Sequence, residues 1–213
     1  LIGENQGEVL NSYATGDVTG QSGGTRGDYV GGLIGDDYGD IRRCFAIDTV
    51  EGQDTVGGLV GSNSLVDGST LDGVIKNCYA TSNVQAAETS DSAGGLVGEN
   101  NRSIEDSFAT GTVTGGENVG GIVGFVGEDG TVIGSYWDTE STSQSTASGY
   151  RDSEEDATGL TTAEMQGEIA EENMSTLNFD EKWDVETNPD EYPLLTWQDE
   201  PVEQPEDEEV DLR

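Results

Sequence analysis

The sequence predicts an all-β fold: a parallel β-helix (β-solenoid) of about five coils, a small mixed helix/strand C-terminal cap and an acidic disordered tail. Three observations predict it. A glycine box recurs as Gly31-Gly32-Leu33-Ile34-Gly35, Gly57-Gly58-Leu59-Val60-Gly61, Gly94-Gly95-Leu96-Val97-Gly98 and Gly120-Gly121-Ile122-Val123-Gly124, and the chain opens on a truncated copy, Leu1-Ile2-Gly3. An aromatic box follows each copy at variable distance, centred on Tyr13, Phe45, Tyr79 and Phe108, with a decayed fifth at Tyr136. Up to about Tyr136 the segments are rich in Val, Ile, Thr and aromatics, are punctuated by Gly, Asn, Asp and Ser, and show no 3.6-residue apolar period. Each repeat is too small to bury its own apolar face, and stacking supplies the common core.

In the glycine box the paired glycines are expected to allow positive φ and close backbone approach at a corner, with the apolar pair forming a short strand. A phosphate-cradling role is set aside, because no Lys-Ser/Thr follows and no helix opens there.

The aromatic box carries a register. Four residues before each aromatic stand Val9, Ile41, Ile75, Ile104 and Val132; five after stand Val18, Val50, Val84 and Val113. These columns have opposite parity, so one straight strand would put them on opposite faces. Both are apolar, so both are expected inward, with a corner between them at Asn11, Asn77 and Asp106 or at Gly16 and Gly111. A coil is then about three short strands. Tyr13, Phe45, Tyr79, Phe108 and Tyr136 form one ladder, read as a structural stack with a sugar-stacking surface as the alternative. The insertions Gln21–Asp28, Ser62–Gly73 and Gln85–Ser92 differ in every coil and would form a binding surface on one edge.

Cys44 and Cys78 occupy one column, filled elsewhere by Ser12, Ser107 and Ser135. Strands about 4.8 Å apart permit a disulfide in an oxidising compartment. The plainer reading is a small buried column in which Ser and Cys interchange.

Beyond the repeats of residues 1–137, residues 138–156 are acidic and Ser/Thr/Gly-rich and read as a flexible loop. Thr161-Thr162-Ala163-Glu164 is a capping-box pattern, predicting a short helix to about Asn173. Met165, Ile169, Met174, Leu177, Phe179 and Trp183 are its expected apolar contacts. Tyr192–Trp197 reads as a last strand. Residues 157–197 are assigned as a cap over the end coil, packed through Trp183 and Trp197. Residues 198–213 read as a disordered acidic tail.

The 213 residues carry 44 acidic and 8 basic side chains, a net charge of −36, and no His. Nucleic acid is excluded as a partner, since phosphate binding needs a Lys/Arg surface. The acid is spread through the repeats, which suits concentrated salt that screens self-repulsion. The competing reading is Ca²⁺ binding, with Asp36, Asp37 and Asp40 the candidate ligands; Glu128-Asp129-Gly130 is a second acidic cluster. Neither has the alternating ligand spacing of known calcium loops. No other cofactor is indicated. No apolar run is long enough to span a bilayer. The chain starts inside a repeat and without Met, so it reads as a piece of something longer. An enzyme working by two carboxylates beside a groove would lack a His base, Lys or Arg to neutralise a uronate, and an Asp column kept through the coils. Asn101-Arg102-Ser103 and Asn173-Met174-Ser175 are N-glycosylation sequons, with Asn101, in a turn, the better placed of the two.

Together the glycine and aromatic boxes resemble the GLUG motif family, repeats named for Gly-Leu-aliphatic-Gly in bacterial and archaeal surface and adhesin-like proteins. The resemblance covers about residues 1–137. The stretch from Ser135-Tyr136-Trp137 to Thr162-Ala163-Glu164-Met165 looks like the ending common in haloarchaeal members. Some members carry a peptidase domain elsewhere; with no His and no zinc motif, that activity does not carry over. The resemblance implies a non-catalytic structural or adhesive segment of a secreted or cell-surface protein adapted to high salt. Its partners would be surface glycans or other surface proteins. The alternatives are a carbohydrate-active β-helix and a calcium-ordered solenoid.

Overall fold

The structure is a computed structural model that describes residues 1–21, 28–47, 49–64, 72–151, 155–185 and 191–199. The chain winds into a stack of coils, each strand pairing in parallel with its counterpart one coil on. Coil 3 displays the plan. Thr55–Gly57, Val60–Asn63, Val74–Lys76, Tyr79–Ala80 and Asn83–Ala86 are five short strands, where about three were expected. The extra strands arise because the glycine box and the aromatic box are each bent in the middle. Coils 1, 2, 4 and 5 begin at Ile2, Tyr29, Ser92 and Asn118.

The glycine box folds back on itself between its second and third residues. A Cβ added to the first glycine would lie 2.1 Å from Ile34 O at Gly31, 1.9 Å from Val60 O at Gly57 and 1.9 Å from Val97 O at Gly94. The second glycine faces across the coil. Added Cβ atoms at Gly32, Gly58 and Gly95 would sit 2.9, 3.0 and 3.0 Å from the Cβ atoms of Ala46, Ala80 and Ala109. The alanine that follows each aromatic is therefore the partner of a glycine, and the coil is thin there. None of the box glycines is among those with positive φ. Close approach alone requires them, and the expected left-handed conformation is not used.

The left-handed corner lies in the aromatic box. Asn11, Arg43, Asn77, Asp106 and Gly134, each two residues before the aromatic, have φ of 46°, 55°, 51°, 48° and 56°. The first proposed corner is thus used in all five coils; at the second, Gly111 has a φ of 91° and Gly16 has no positive φ. The first corner also turns both apolar columns inward: Ile41, Ile75, Ile104 and Val132 join Leu33, Leu59, Leu96 and Ile122 in one core. Val50, Val84 and Val113 join Val30, Val56 and Ala93 in another. The Ser/Cys column follows the corner directly and satisfies its backbone. Cys78 N–H donates to Ser107 Oγ at 3.1 Å and Ser107 N–H to Ser135 Oγ at 3.3 Å. Ser107 Oγ in turn donates to Glu105 O at 2.7 Å.

The stack runs one coil further than expected. Residues 138–156 are not simply a loop: Ser148–Arg151 pairs with Val123–Val126, and Glu155–Leu160 pairs with Thr131–Asp138. By register, Ser145-Thr146-Ala147-Ser148-Gly149 occupies the place of a sixth glycine box. Its small polar residues hide it in the sequence. They suffice because the backbone bonds from Gly121 and Ile122 N–H to Thr146 and Ala147 O are supplied by the coil before. The turn into it is built on Asp138, whose Oδ1 accepts from Glu140 and Ser141 N–H.

The C-terminal segment lies along the flank of the stack and not over its end. Its helix is short, Ile169–Asn173, preceded by a 3₁₀ turn at Thr162–Glu164. Ile169, expected as a contact, is 52% exposed. Trp183–Asp184 pairs antiparallel with Leu194–Leu195, and Thr196–Asp199 is a 3₁₀ turn. The greater part of the expected tail, residues 200–213, lies outside the described residues, as do residues 22–27 and 65–71 of the first two insertions.

Two outcomes check this account. Gly57→Ala, with a backbone oxygen in the way, should lose about 1–3 kcal/mol or more in urea unfolding. Gly16→Ala, with nothing within 4 Å of the new atom, should be neutral or slightly stabilising. Arg43→Asn should stabilise the chain by up to about 1 kcal/mol, because Asn tolerates the left-handed corner better than Arg.

Candidate binding surface

Two columns of aromatics stand on the outside of the coils. The first holds four of the five rings of the expected ladder; Tyr136 keeps the register and bonds Thr176 through its hydroxyl. Tyr13, Phe45, Tyr79 and Phe108 stack with centroids 5.0, 4.9 and 5.1 Å apart and planes within 8°. They face outward because the neighbouring Cys44, Ala46, Cys78 and Ala80 face the core. The C-terminal strap covers this rail. Trp183 packs on Phe108 and Tyr79 at 5.3 and 6.0 Å, and Trp197 on Phe45 and Tyr13 at 5.8 and 6.3 Å. Met165, Met174, Leu177 and Leu195 complete the cluster.

Polar pins hold the strap at intervals. Thr176 Oγ1 donates to Gly134 O at 2.6 Å, Trp197 Nε1 to Arg43 O at 3.1 Å, and Gln198 Nε2 to the Tyr79 hydroxyl at 3.0 Å. Tyr192 donates its hydroxyl to Asp138 Oδ2, which Thr162 also reaches at 2.7 Å. Burial and that carboxylate push the Tyr192 pKa up to about 12. Only Tyr13, 56% exposed, remains open to solvent on the rail. The ladder is thus a packing surface, and a sugar could stack on it only by displacing the strap.

The second aromatic column was not singled out from the sequence. Phe125 and Tyr150 follow the last glycine of the fifth and sixth boxes and stack at 5.2 Å and 5°. Beside them a groove of about 490 Å³ runs between Phe125 and Tyr29. Thr55, Ser92 and Asn118, which share one register position with Tyr29, line it, with Glu99 alongside and Asp91 and Glu117 on the loops. Tyr29 has its phenol pKa raised by burial first, then by Glu99 and Asp36. The clue in the sequence was Phe125, a large apolar residue directly after a glycine box, where Asp36, Ser62 and Glu99 stand in the other coils.

The remaining candidates fall apart or are already engaged. Asp36 accepts from the Tyr38 hydroxyl at 2.6 Å, and Asp37 from Asn5 Nδ2 at 2.7 Å. Asp40 Oδ1 accepts from Gly73 and Val74 N–H, and its Oδ2 pairs with Arg42 at 3.3 Å. Each carboxylate turns to a separate partner, and among the described residues no three acidic or cysteine side chains converge as a metal site would need. Cys44 and Cys78 are buried free thiols; the Cys44 N–H donates to Cys78 Sγ at 3.4 Å, and burial pushes the Cys78 thiol well up. Asn101 sits in the turn before Ser103–Glu105, its amide donating to Glu99 Oε1 at 2.8 Å, and Asn173 ends the helix, donating to Glu164 O at 3.0 Å.

Residues 89–114 match the GLUG motif, and this stretch is coil 4, from Ser92–Gly94 to Val113–Thr114. One motif is one turn of the solenoid. Coil 4 is a GLUG motif, and the other coils share its register. Over 218 aligned positions, 96% of this chain, the GLUG segment is 36% identical to Halomucin of Haloquadratum walsbyi, of which the alignment covers 2%. Over 126 positions, 56% of the chain, it is 32% identical to a Gly-rich membrane protein of Evansella cellulosilytica, covering 13% of that protein. The GLUG segment therefore spans a small part of the relatives it matches. No solved structure matches it. Among the described residues no helix is long and apolar enough to cross a membrane.

Removing one strap anchor should release the flank. Trp183, 1% exposed, is expected to lose about 3–5 kcal/mol on Trp183→Ala. In limited proteolysis the first new cuts should fall within residues 161–199. Cuts appearing first in the coils would contradict the strap's role.

Proposed function

We propose that this GLUG segment is a non-catalytic structural and adhesive part of a secreted or cell-surface protein, suited to high salt. The names of its two relatives, Halomucin and a Gly-rich membrane protein, support the surface habitat. The net charge of −36 supports the habitat in brine, where the Debye length shrinks to about 3 Å at 1 M salt and like charges on neighbouring coils cease to repel.

The observation that carries adhesion is the groove between Tyr29 and Phe125. It stands open, whereas the longer aromatic rail is occupied by the strap. Its two aromatic walls offer faces for the C–H surface of a sugar ring. Asn118, Glu99 and the floor hydroxyls offer hydrogen-bonding groups between them. Asp91, Glu99 and Glu117 repel uronates and sulfated chains. The partner this suits is a neutral surface glycan.

The test is binding of the chain to an array of neutral and acidic glycans in molar KCl, with soluble products assayed in parallel. Neutral glycans should bind, Phe125→Ala should weaken them about tenfold, and Tyr13→Ala should leave them unchanged. Equal binding by the Phe125 variant would remove the groove from the account. Release of new reducing ends would favour the carbohydrate-active alternative.

A further inference from the structure

A ladder of buried amides runs along the corner that follows each glycine-box strand. Register places Asn5, Asp37, Asn63 and Asn100 one above another. Asn5 Nδ2 donates to Asp37 Oδ1 at 2.7 Å, and Asn63 Nδ2 donates to Asn100 Oδ1 at 2.9 Å. Asn100 Nδ2 continues onward to Thr131 O at 3.1 Å. In each of these steps the side-chain nitrogen of one coil feeds an oxygen of the next. The step from Asp37 to Asn63 has no nitrogen to give. Among the described residues neither Asp37 Oδ2 nor Asn63 Oδ1 has a partner, and both residues are 0% exposed. Two acceptors left unpaired at one dry junction are costly, and more so if one is also charged.

We propose that Asp37 is a neutral carboxylic acid in the folded chain, its O–H taking the place of the absent amide and donating to Asn63 Oδ1. Coil 2 is thereby tied to coil 3 by a bond that exists only while the acid keeps its proton. A single proton needs two oxygens, which is what the junction offers. A calcium ion takes about 6–8, and no such set converges among the described residues.

The surroundings agree. Asn5 in the coil before and Asn63 in the coil after are neutral. Asp36 on the same strand and Asp40 on the following one both repel a charge at Asp37. Arg42, two residues beyond Asp40, is held by Asp40 at 3.3 Å. Bonds from Asn5 and the Gly39 N–H favour the ionised form, but burial outweighs them and pushes the pKa up to about 7. The sign follows. An unfolded Asp ionises near 3.8, so between about 4 and 7 the folded chain holds a proton that the unfolded chain has lost. This contribution is fully present below pH 4, falls away as pH rises to about 7, and is flat above that.

The decisive measurement pairs two readouts on the whole 213-residue chain in molar KCl. One is the ¹³C shift of the Asp37 carboxyl against pH. The other is the urea midpoint of the wild type and of Asp37→Asn, which restores the amide donor. The carboxyl should titrate well above 4, near 7. The variant should match the wild type near pH 4.5 and exceed it at pH 8, the difference in folding equilibrium reaching at least tenfold and at most about a thousandfold. A carboxyl midpoint at or below 4, or a difference that does not vary with pH, would overturn the proposal. So would wild-type stability that depends on added Ca²⁺, vanishes with chelator and is insensitive to both in Asp37→Asn, which would place a metal ion at the junction.

Discussion

The distance between two stretches of backbone inside one coil governs this molecule. Where the Gly-Gly-Leu-aliphatic-Gly box doubles back, the first glycine passes so near the carbonyl three residues on that a methyl group has no room. The second lies against an alanine on the far wall. Both contacts fix the thickness of the coil, and thickness fixes which side chains can fill it: one column of Leu or Ile, two of β-branched residues and one of Ala. In coil 5 the pattern ends with Trp137 in the alanine position, and its ring lies against Gly121. A bulky residue is accommodated there because the coil that follows is built from Ser, Thr and Ala.

A solenoid of this kind would ordinarily behave as a one-dimensional array, each coil held only by its neighbours. The strap changes that. It leaves the last coil, follows the aromatic rail and reaches Tyr13 and Arg43 in the first two coils. Contacts between residues separated by 119 and 154 positions couple coils that would otherwise be independent. The aromatic rail is the price of that coupling: a row of outward rings that must be covered.

Much of this was legible in the sequence because repetition makes register visible. The parity of Val9 and Val18 about Tyr13 required a corner, and the corner is at Asn11. Cys44 and Cys78 read as a small buried column, and they are buried beside the serines of the same column. What was not legible has physical causes. The sixth coil was hidden because a terminal coil is templated by backbone bonds and needs no apolar signature. The strap's destination was hidden because Trp183 and Trp197 announce burial without naming the surface they meet. The groove was hidden because Tyr29 and Phe125 fall at different levels of the stack and line one surface only once the glycine-box strands lie side by side. Arg43 could not be guessed as a left-handed residue from its type; its register position alone gives it away.

The course of the strap also decides how the segment would carry a load. Leu1 lies in the first coil, and Trp197 lies against the first two. The strap therefore carries the chain back from the last coil to the side of these two. A pull on the Trp197 end of the strap would act first on the rail beside them and not on the coil from which the strap departs. The coils along the rail would stay wound until the strap itself was peeled away.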